Sequence, residues 1–526
     1  MSNFFAKLVP LTVLEHFEHF LLNNPSRAAK FLNHANPHLL EEFSGKKALH
    51  IFQQAAKESS GYHSFLQQYQ ISTKNIHTLE DFNRLVPATD KANYIKQFSF
   101  EQRCRQGHLP KTGNIDESGG TSGKATNWIH DFKEEDLLFK AVNFEYNYIF
   151  DSGKNKDYLV ISAWSTGPWA TGIKFCELME RIALVKNTAT DPRDIIDTLK
   201  MFGTEKHYLI GGYPPFLKNL IDDCSDQINW KDYKIDLITG GEGVPIEWVY
   251  YMQKKLLPGA KIVSSYGASD IDIGVGFETP FCFFLRELAF ENEKLRKELF
   301  GRDELPMLFQ YNPLVHYIHN ITNEQGQPEF EITLLDRNAA LPKVKYALHD
   351  EGKKFGYVEM TDLIFKHCPL FLDEFEKRGG KLSEVLHLPF LTIFGRSDGT
   401  LSFDGANVFP NQIEGGILRD KRLSKLINRF KMEKRYDKKH TVEFHVHLEL
   451  KKGVKSSETL KKKAEKSILE ELLQVDPDYR ESYQHNRKLF PRVSLYKFEH
   501  PLFKQDDAKC KNIYMMKNKM ATGKEK

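Results

Sequence analysis

No stretch of the 526-residue sequence approaches 18 uncharged apolar residues in a row, which excludes a membrane-spanning helix. The N-terminal MSNFFAKLVPLTVLEHFEHFLL is apolar but broken by Pro10, Glu15 and Glu18. It also lacks the basic opening, apolar core and cleavage site of a secretory leader. Cysteine is scarce, with six residues, no C-x-x-C pair and no zinc-like spacing, so neither a disulfide framework nor a structural zinc site is expected. That usage suits a reduced compartment, and a cytoplasmic location is expected. Internal repeats and low-complexity tracts are missing as well, which excludes a repeat architecture.

Net charge is nearly absent, at +3, but unevenly spread. From Arg419 onward 29 Lys and Arg face 16 Asp and Glu, while the first 418 residues hold 45 against 55. A basic C-terminal module on an acidic body points to a polyanionic partner. Nucleoside triphosphate, coenzyme A, RNA and anionic lipid all qualify, and a lysine-rich solvated surface is the plain alternative.

The length exceeds what one hydrophobic core holds, so a large domain and a smaller one are expected. Residues 1–110 read as mostly helical. From Asp157 to Asp270 short apolar runs (YLVISAW, HYLIGGY, IDLITGG, AKIVSSYG) alternate with helical patterns. One pattern puts Ile195, Ile196, Leu199 and Phe202 on one face, and another opens at Pro245 and carries Val249, Met252 and Leu256. This predicts an α/β fold with doubly wound, mainly parallel sheets. The ligand is then expected at the loops after the strands, GGYPP, TGGEG and SYGASD. After the Gly- and Asp-rich LTIFGRSDGTLSFDGANVFPNQIE, the alternating strand Thr441–Leu450, a helix face of Leu460, Ala464, Ile468 and Leu472, and the strand RVSLYKF make a small α+β module. His445 and His447 alternate along that strand and are read as its solvent face rather than as a metal pair.

The densest chemical signal is Glu117-Ser-Gly-Gly-Thr-Ser-Gly-Lys124, a loop whose amides and hydroxyls can wrap phosphate oxygens. It is not a P-loop: Ser118 stands where that motif needs glycine and Ala125 where it needs a hydroxyl. ESGGTSGKATNW resembles the phosphate-binding loop of the acyl-adenylate-forming superfamily. SYGASD (Ser265–Asp270), KYALHDEG with Asp350, and Phe394–Glu414 (FGRSDGTLSFDGANVFPNQIE) follow in that superfamily's order. The last, with YHSFLQQYQI and LEDFNRLVPATDK near the start, is similar to the phenylacetate–CoA ligase branch.

The resemblance implies an adenylate-forming domain over residues 1–396, with doubly wound sheets, and a mobile α+β lid over 397–526. It implies ATP, Mg²⁺ and coenzyme A as cofactors and a small-molecule carboxylic acid as substrate, with a carrier protein or an amine as alternative acceptor and no nucleic acid partner. Ser118, Gly119, Gly120, Thr121, Ser122, Gly123 and Lys124 would meet the phosphates. Glu242, Tyr266, Gly267 and Ser269 would line the nucleotide, with Tyr266 stacked near the base, and Asp270 would hold the metal. Asp350 would accept from the ribose hydroxyls, and Arg396 would add a donor. Asp398 is the implied hinge. Lys509, with Lys511 as rival, is the implied lid lysine for adenylation. Trp164, Trp169, Tyr213, Gly240 and Gly241 would shape the acyl pocket. The sequence departs from the pattern at Asp270 in place of glutamate, His349 in place of glycine, Lys345 in place of arginine and Ala508 in place of glycine. The first three leave the superfamily resemblance intact but weaken any transfer of substrate, while Asp270 and the degenerate lysine region around Ala508 support a rival reading, a non-catalytic nucleotide-binding relative.

Overall fold

A computed structural model describes residues 9–118, 126–151, 156–166, 170–324, 326–397, 399–503 and 513–515. The opening is helical, with Leu11–Leu22, Pro25–Leu32, Pro37–Glu58 and Ser60–Gln68 in succession. Asn24, Asn36 and Ser59 start three of these by accepting backbone N–H bonds of the first turn, two of them just before a proline that has no N–H to satisfy.

The strands β1 (Gly113–Ser118) and β2 (Thr126–Asp131) form a separate antiparallel hairpin. The alternating region then lays down β3 (Tyr158–Ser162), β4 (Leu184–Asn187), β5 (His207–Gly212), β6 (Lys234–Thr239) and β7 (Ile262–Ala268), all parallel, in the order β4-β3-β5-β6-β7. Helices Ala170–Met179, Pro192–Phe202, Pro214–Asp223 and Ile246–Lys255 make the crossovers. Ile195, Ile196 and Leu199 pack into the core as their spacing predicts, but Phe202 is 40% exposed because Gly203 ends the helix there.

After β7 the chain turns back on itself within three residues, too few for a crossover, and the pairing becomes antiparallel. β8 (Asp272–Phe277), β9 (Met307–Gln310), β10 (His316–Thr322), β11 (Pro328–Leu334), β12 (Tyr346–Phe355) and β13 (Phe390–Arg396) continue the same sheet in the order β7-β8-β9-β13-β12-β11-β10. The described residues thus build an eleven-stranded mixed sheet whose parallel half coincides with the strand–helix alternation.

The C-terminal part has its own core, drawn from residues 403–493. β14 (Leu401–Phe403) and β15 (Ala406–Val408) are joined by Asp404-Gly405, with φ of 48° and 85°. Two positive φ values in a two-residue loop mark the type I′ turn for which Asp-Gly is a preferred pair. β16 (Ile427–Tyr436), β17 (Val442–Leu450), β18 (Arg492–Tyr496) and β19 (Ile513–Met515) follow in the order β18-β17-β16-β19, with Ala464, Ile468 and Leu472 of the helix Glu458–Val475 in the same core. The solvent face expected for the β17 histidines is not what forms. His447 is 1% exposed, covered by Tyr496, and its ring nitrogens lie 2.8 Å from Glu433 Oε2 and 3.0 Å from the Tyr496 hydroxyl. β17 is an interior strand, and β18 brings Tyr496 over its second face.

Candidate active site

Ser118 closes β1 opposite Thr126, and its hydroxyl accepts the indole N–H of Trp128 at 2.8 Å. The hairpin therefore holds the two ends of the Gly/Ser/Thr loop together. Gly119, Gly120, Thr121, Ser122, Gly123 and Lys124 lie outside the described residues. The hairpin is fixed from below by buried charge. Lys174 Nζ lies 2.9 Å from Asp116 of β1 and 2.8 Å from Glu135, while His130 of β2 meets Glu134 at 3.0 Å. Lys343, 3.6 Å from Glu134, donates to the Ile271 carbonyl at 2.8 Å, so the same array reaches the β7–β8 turn.

That turn carries the SYGASD residues. Gly267 is required by close approach, since a Cβ there would sit 2.4 Å from the Ile273 carbonyl. Ser269 and Asp270 follow. Asp270 is 6% exposed and accepts the Tyr346 hydroxyl at 2.8 Å, with Lys91 Nζ 3.1 Å from the same oxygen. No group of three or more His, Cys, Asp or Glu that could hold a metal occurs among the described residues. Asp270 offers the kind of oxygen ligand that Mg²⁺ takes, and its Oδ2 is shared here by the Tyr346 hydroxyl and the Lys91 ammonium.

Lys91 was not singled out from the sequence. It arrives because Thr89 forms a parallel bridge to Tyr346 and Asp90 then caps a turn of π-helix, Lys91–Ile95. The sequence trace of this is Asp90 at a cap position; the bridge itself joins segments far apart in the chain.

Asp350 on β12 faces Arg396 on β13, with 3.6 Å between guanidinium and carboxylate, and accepts the Tyr266 hydroxyl at 2.5 Å. Burial, and then the carboxylate of Asp350, push the Tyr266 phenol well above its ordinary pKa, so it stays a donor. The Tyr266 ring stacks on Phe309 at 5.8 Å and meets Phe330 edge-on. Asp350, Arg396, Tyr266, Gly267 and Asp270 thus come together.

At the carboxyl ends of β3, β5 and β6, Trp164 and Tyr213 make a T-shaped pair 4.9 Å apart, 2% and 7% exposed. Gly240 faces the Trp164 ring and Gly241 the Tyr213 ring, so the two aromatics lie against the glycine floor. Trp169 lies outside the described residues. Tyr213 also packs against Gly405 of the C-terminal part. Glu242, expected at the nucleotide, is ion-paired with Lys434 of β16. The same seam holds Lys218 to Thr441 at 3.2 Å, Lys488 to Asn219 at 3.3 Å and the Tyr251 and His440 rings at 5.5 Å. Asp398, Lys509 and Lys511 lie outside the described residues.

No protein-family profile matches the chain, and no curated protein sequence matches it. Solved structures do. 2-Hydroxyisobutyryl-CoA ligase in complex with 2-HIB-AMP and CoA in its thioesterification state superposes with a TM-score of 0.59 at 13% identity, over 91% of this chain and 90% of that one. Its open conformation gives 0.52 at 13% identity over 90% and 91%, and its postadenylation state with R3-HIB-AMP gives 0.50 at 13% over 90% and 89%. No helix among the described residues is long and apolar enough to cross a membrane. The chain has the fold of 2-hydroxyisobutyryl-CoA ligase over nine-tenths of its length.

Proposed function

We propose that this chain is an ATP-dependent carboxylate-activating enzyme of the acyl-adenylate-forming superfamily, in the phenylacetate–CoA ligase-like branch, with coenzyme A as acyl acceptor. The observation that carries this reading is the group around Tyr266. Its hydroxyl is bound to Asp350, Arg396 stands behind that carboxylate, and Asp270 is close enough to act on the same phenol. This group lies on β7, β12 and β13, and four sequence motifs in the superfamily's order support the reading.

In the first half-reaction a carboxylate oxygen of the acid attacks the α-phosphorus of ATP. The phosphorus–oxygen bond to pyrophosphate breaks, and the acyl-AMP anhydride remains. Ser118 and the loop residues Thr121, Ser122 and Lys124 supply donors that relieve the repulsion between carboxylate and phosphate. Asp350 accepts from the ribose hydroxyls, and Arg396 holds its orientation. Mg²⁺, where bound, would neutralise phosphate charge beside Asp270. In the second half-reaction the thiol sulfur attacks the acyl carbonyl carbon, the carbon–oxygen bond to AMP breaks, and the thiol proton leaves to solvent. Trp164, Trp169, Tyr213 and the two glycines shape the acyl pocket. Residues 397–526 act as a lid that turns at Asp398, bringing Lys509 to the phosphate for the first half-reaction only. Pyrophosphate exchange with a panel of aromatic and fatty acids, followed by thioester formation with coenzyme A, tests the reading. ATP binding with no exchange for any acid would overturn it in favour of a non-catalytic relative. Exchange without thioester would move the acceptor to a carrier protein or an amine.

A further inference from the structure

Lys434 is the described lysine of the C-terminal part that crosses the seam as one half of a buried ion pair. It stands on β16, its side chain 9% exposed, and donates to Glu242 on the loop after β6, whose side chain is 3% exposed. A second bond runs to the Ser402 carbonyl at 2.9 Å, and the rings of Phe403 and Tyr436 lie 5.6 and 5.9 Å from the ammonium. The second carboxylate oxygen of Glu242 is buried without a hydrogen-bond partner among the described residues. Both ends are therefore largely withdrawn from water.

We propose that the Lys434–Glu242 pair is the latch that holds the C-terminal part in the closure seen here, with Lys434 a positioning residue for the half-reaction that uses this closure and not for the other. This rests on the two-half-reaction reading above. The physical argument is asymmetry. A buried ion pair contributes little net stability over its hydrated halves, whereas removing one partner strands the other charge in a poorly solvated site. The two residues belong to parts joined through Ser397–Gly399. Any rotation there parts them, and in the rotated state each end meets water. Loss of Lys434 therefore penalises this closure and leaves the other untouched. The contacts beside the pair cross the same seam, Tyr213 against Gly405 and Lys488 to Asn219. Burial pulls the Lys434 ammonium down to about 7.

Two readouts test the latch in the full-length chain. The first needs no activity: an Asn219→Cys/Lys488→Cys pair, cross-linked with a short bis-maleimide and read by mass spectrometry, reports closure. Lys434→Met and Glu242→Gln are each expected to slow cross-linking at least tenfold, and the combined variant to be no slower than the slower single. The second is kinetic. Lys434→Met should slow one half-reaction, thioester formation from pre-made acyl-AMP or pyrophosphate exchange, at least tenfold while the other stays within twofold. Unchanged cross-linking in both single variants would overturn the latch, as would exchange falling in step with thioester formation. Should Lys434→Met fail to fold, Glu242→Gln decides by cross-linking alone. A wild-type chain without any exchange would sink the proposed function instead, and cross-linking would still decide the latch.

Discussion

His349 has a φ of 61°, a left-handed conformation that glycine adopts freely and that other residues rarely take. This accounts for a glycine at that place in the resembling family. Here histidine is held in the same conformation between Asp90 at 3.4 Å and Glu329 at 3.3 Å, and the bond to Asp90 raises its pKa. Lys345 is another departure that the structure explains. Its ammonium bonds the carbonyls of Phe82, Asn83 and Val86, so it closes the end of the helix Leu79–Leu85 and does not face the nucleotide site. Two predictions belong to single residues. Gly267→Ala should destabilise the chain by roughly 2–4 kcal/mol, because the new Cβ meets Ile273 backbone that cannot swing aside as a side chain would. A melting temperature within 2 °C of wild type, on the order of ordinary scatter for surface changes, would contradict this. Asp350→Ala should weaken ATP binding by roughly 2–4 kcal/mol, since a charged acceptor shared by two hydroxyl donors is lost. Titration calorimetry showing wild-type affinity would mean that the ribose site has been misplaced.

Elements were legible in the sequence where their periodicity was local. The alternation from Asp157 to Asp270 announced β3–β7 and their helices, and β17 and the helix Glu458–Val475 were announced by period-two and helical spacing. The antiparallel half of the sheet was less so, because β9–β13 are joined by connections of uneven length and pair out of chain order. The site was legible to the same degree. Tyr266, Asp270, Asp350 and Arg396 lie in recognisable strings, but Lys91 reaches Asp270 only through the distant Thr89–Tyr346 bridge. The β1–β2 hairpin frames the phosphate loop, and Lys124→Ala with Thr121→Ala should lower pyrophosphate exchange at least about a hundredfold, the scale for losing charged transition-state donors. Unchanged exchange in the folded double variant would remove the loop from the mechanism. The β14–β15 turn gives a prediction about stability. Burial pushes the Asp404 carboxyl up to about 6, while Asn486 Nδ2 donates to it at 2.6 Å. Its contribution to stability is complete below the ordinary carboxylate value of 3.8 and is lost as pH rises through 6. Asp404→Asn keeps the left-handed turn, which asparagine tolerates. It should therefore raise stability at pH 8 by up to roughly 2–3 kcal/mol, with little gain near pH 4. Denaturant unfolding at both pH values checks the sign, and an equal effect at both would refute it.

On the scale of the whole molecule, the uneven charge seen in the sequence sets an acidic N-terminal part beside a basic C-terminal part, and their contact surface mixes ion pairs with aromatic packing. The Lys434–Glu242 pair could not be read in advance, because the two residues are 192 apart and only the fold brings β16 to the loop after β6. The lid lysine was the reverse case, named only by the order of motifs. If Lys509 bridges carboxylate and α-phosphate, Lys509→Ala should abolish acyl-AMP formation from acid and ATP. Supplied with pre-made acyl-AMP, the same variant should still form thioester, because the lid has then turned that lysine away. Asp398→Pro should do the opposite: a fixed φ stiffens the hinge, so adenylation survives while thiol transfer fails. Measuring both half-reactions for both variants, with Lys511→Ala alongside, separates the outcomes. A dead Lys511→Ala with an active Lys509→Ala would move the lid lysine by two residues. Two lysine variants with full adenylation would remove the lid from the first half-reaction, and Lys434 would then be the lid lysine with a measurable effect on catalysis.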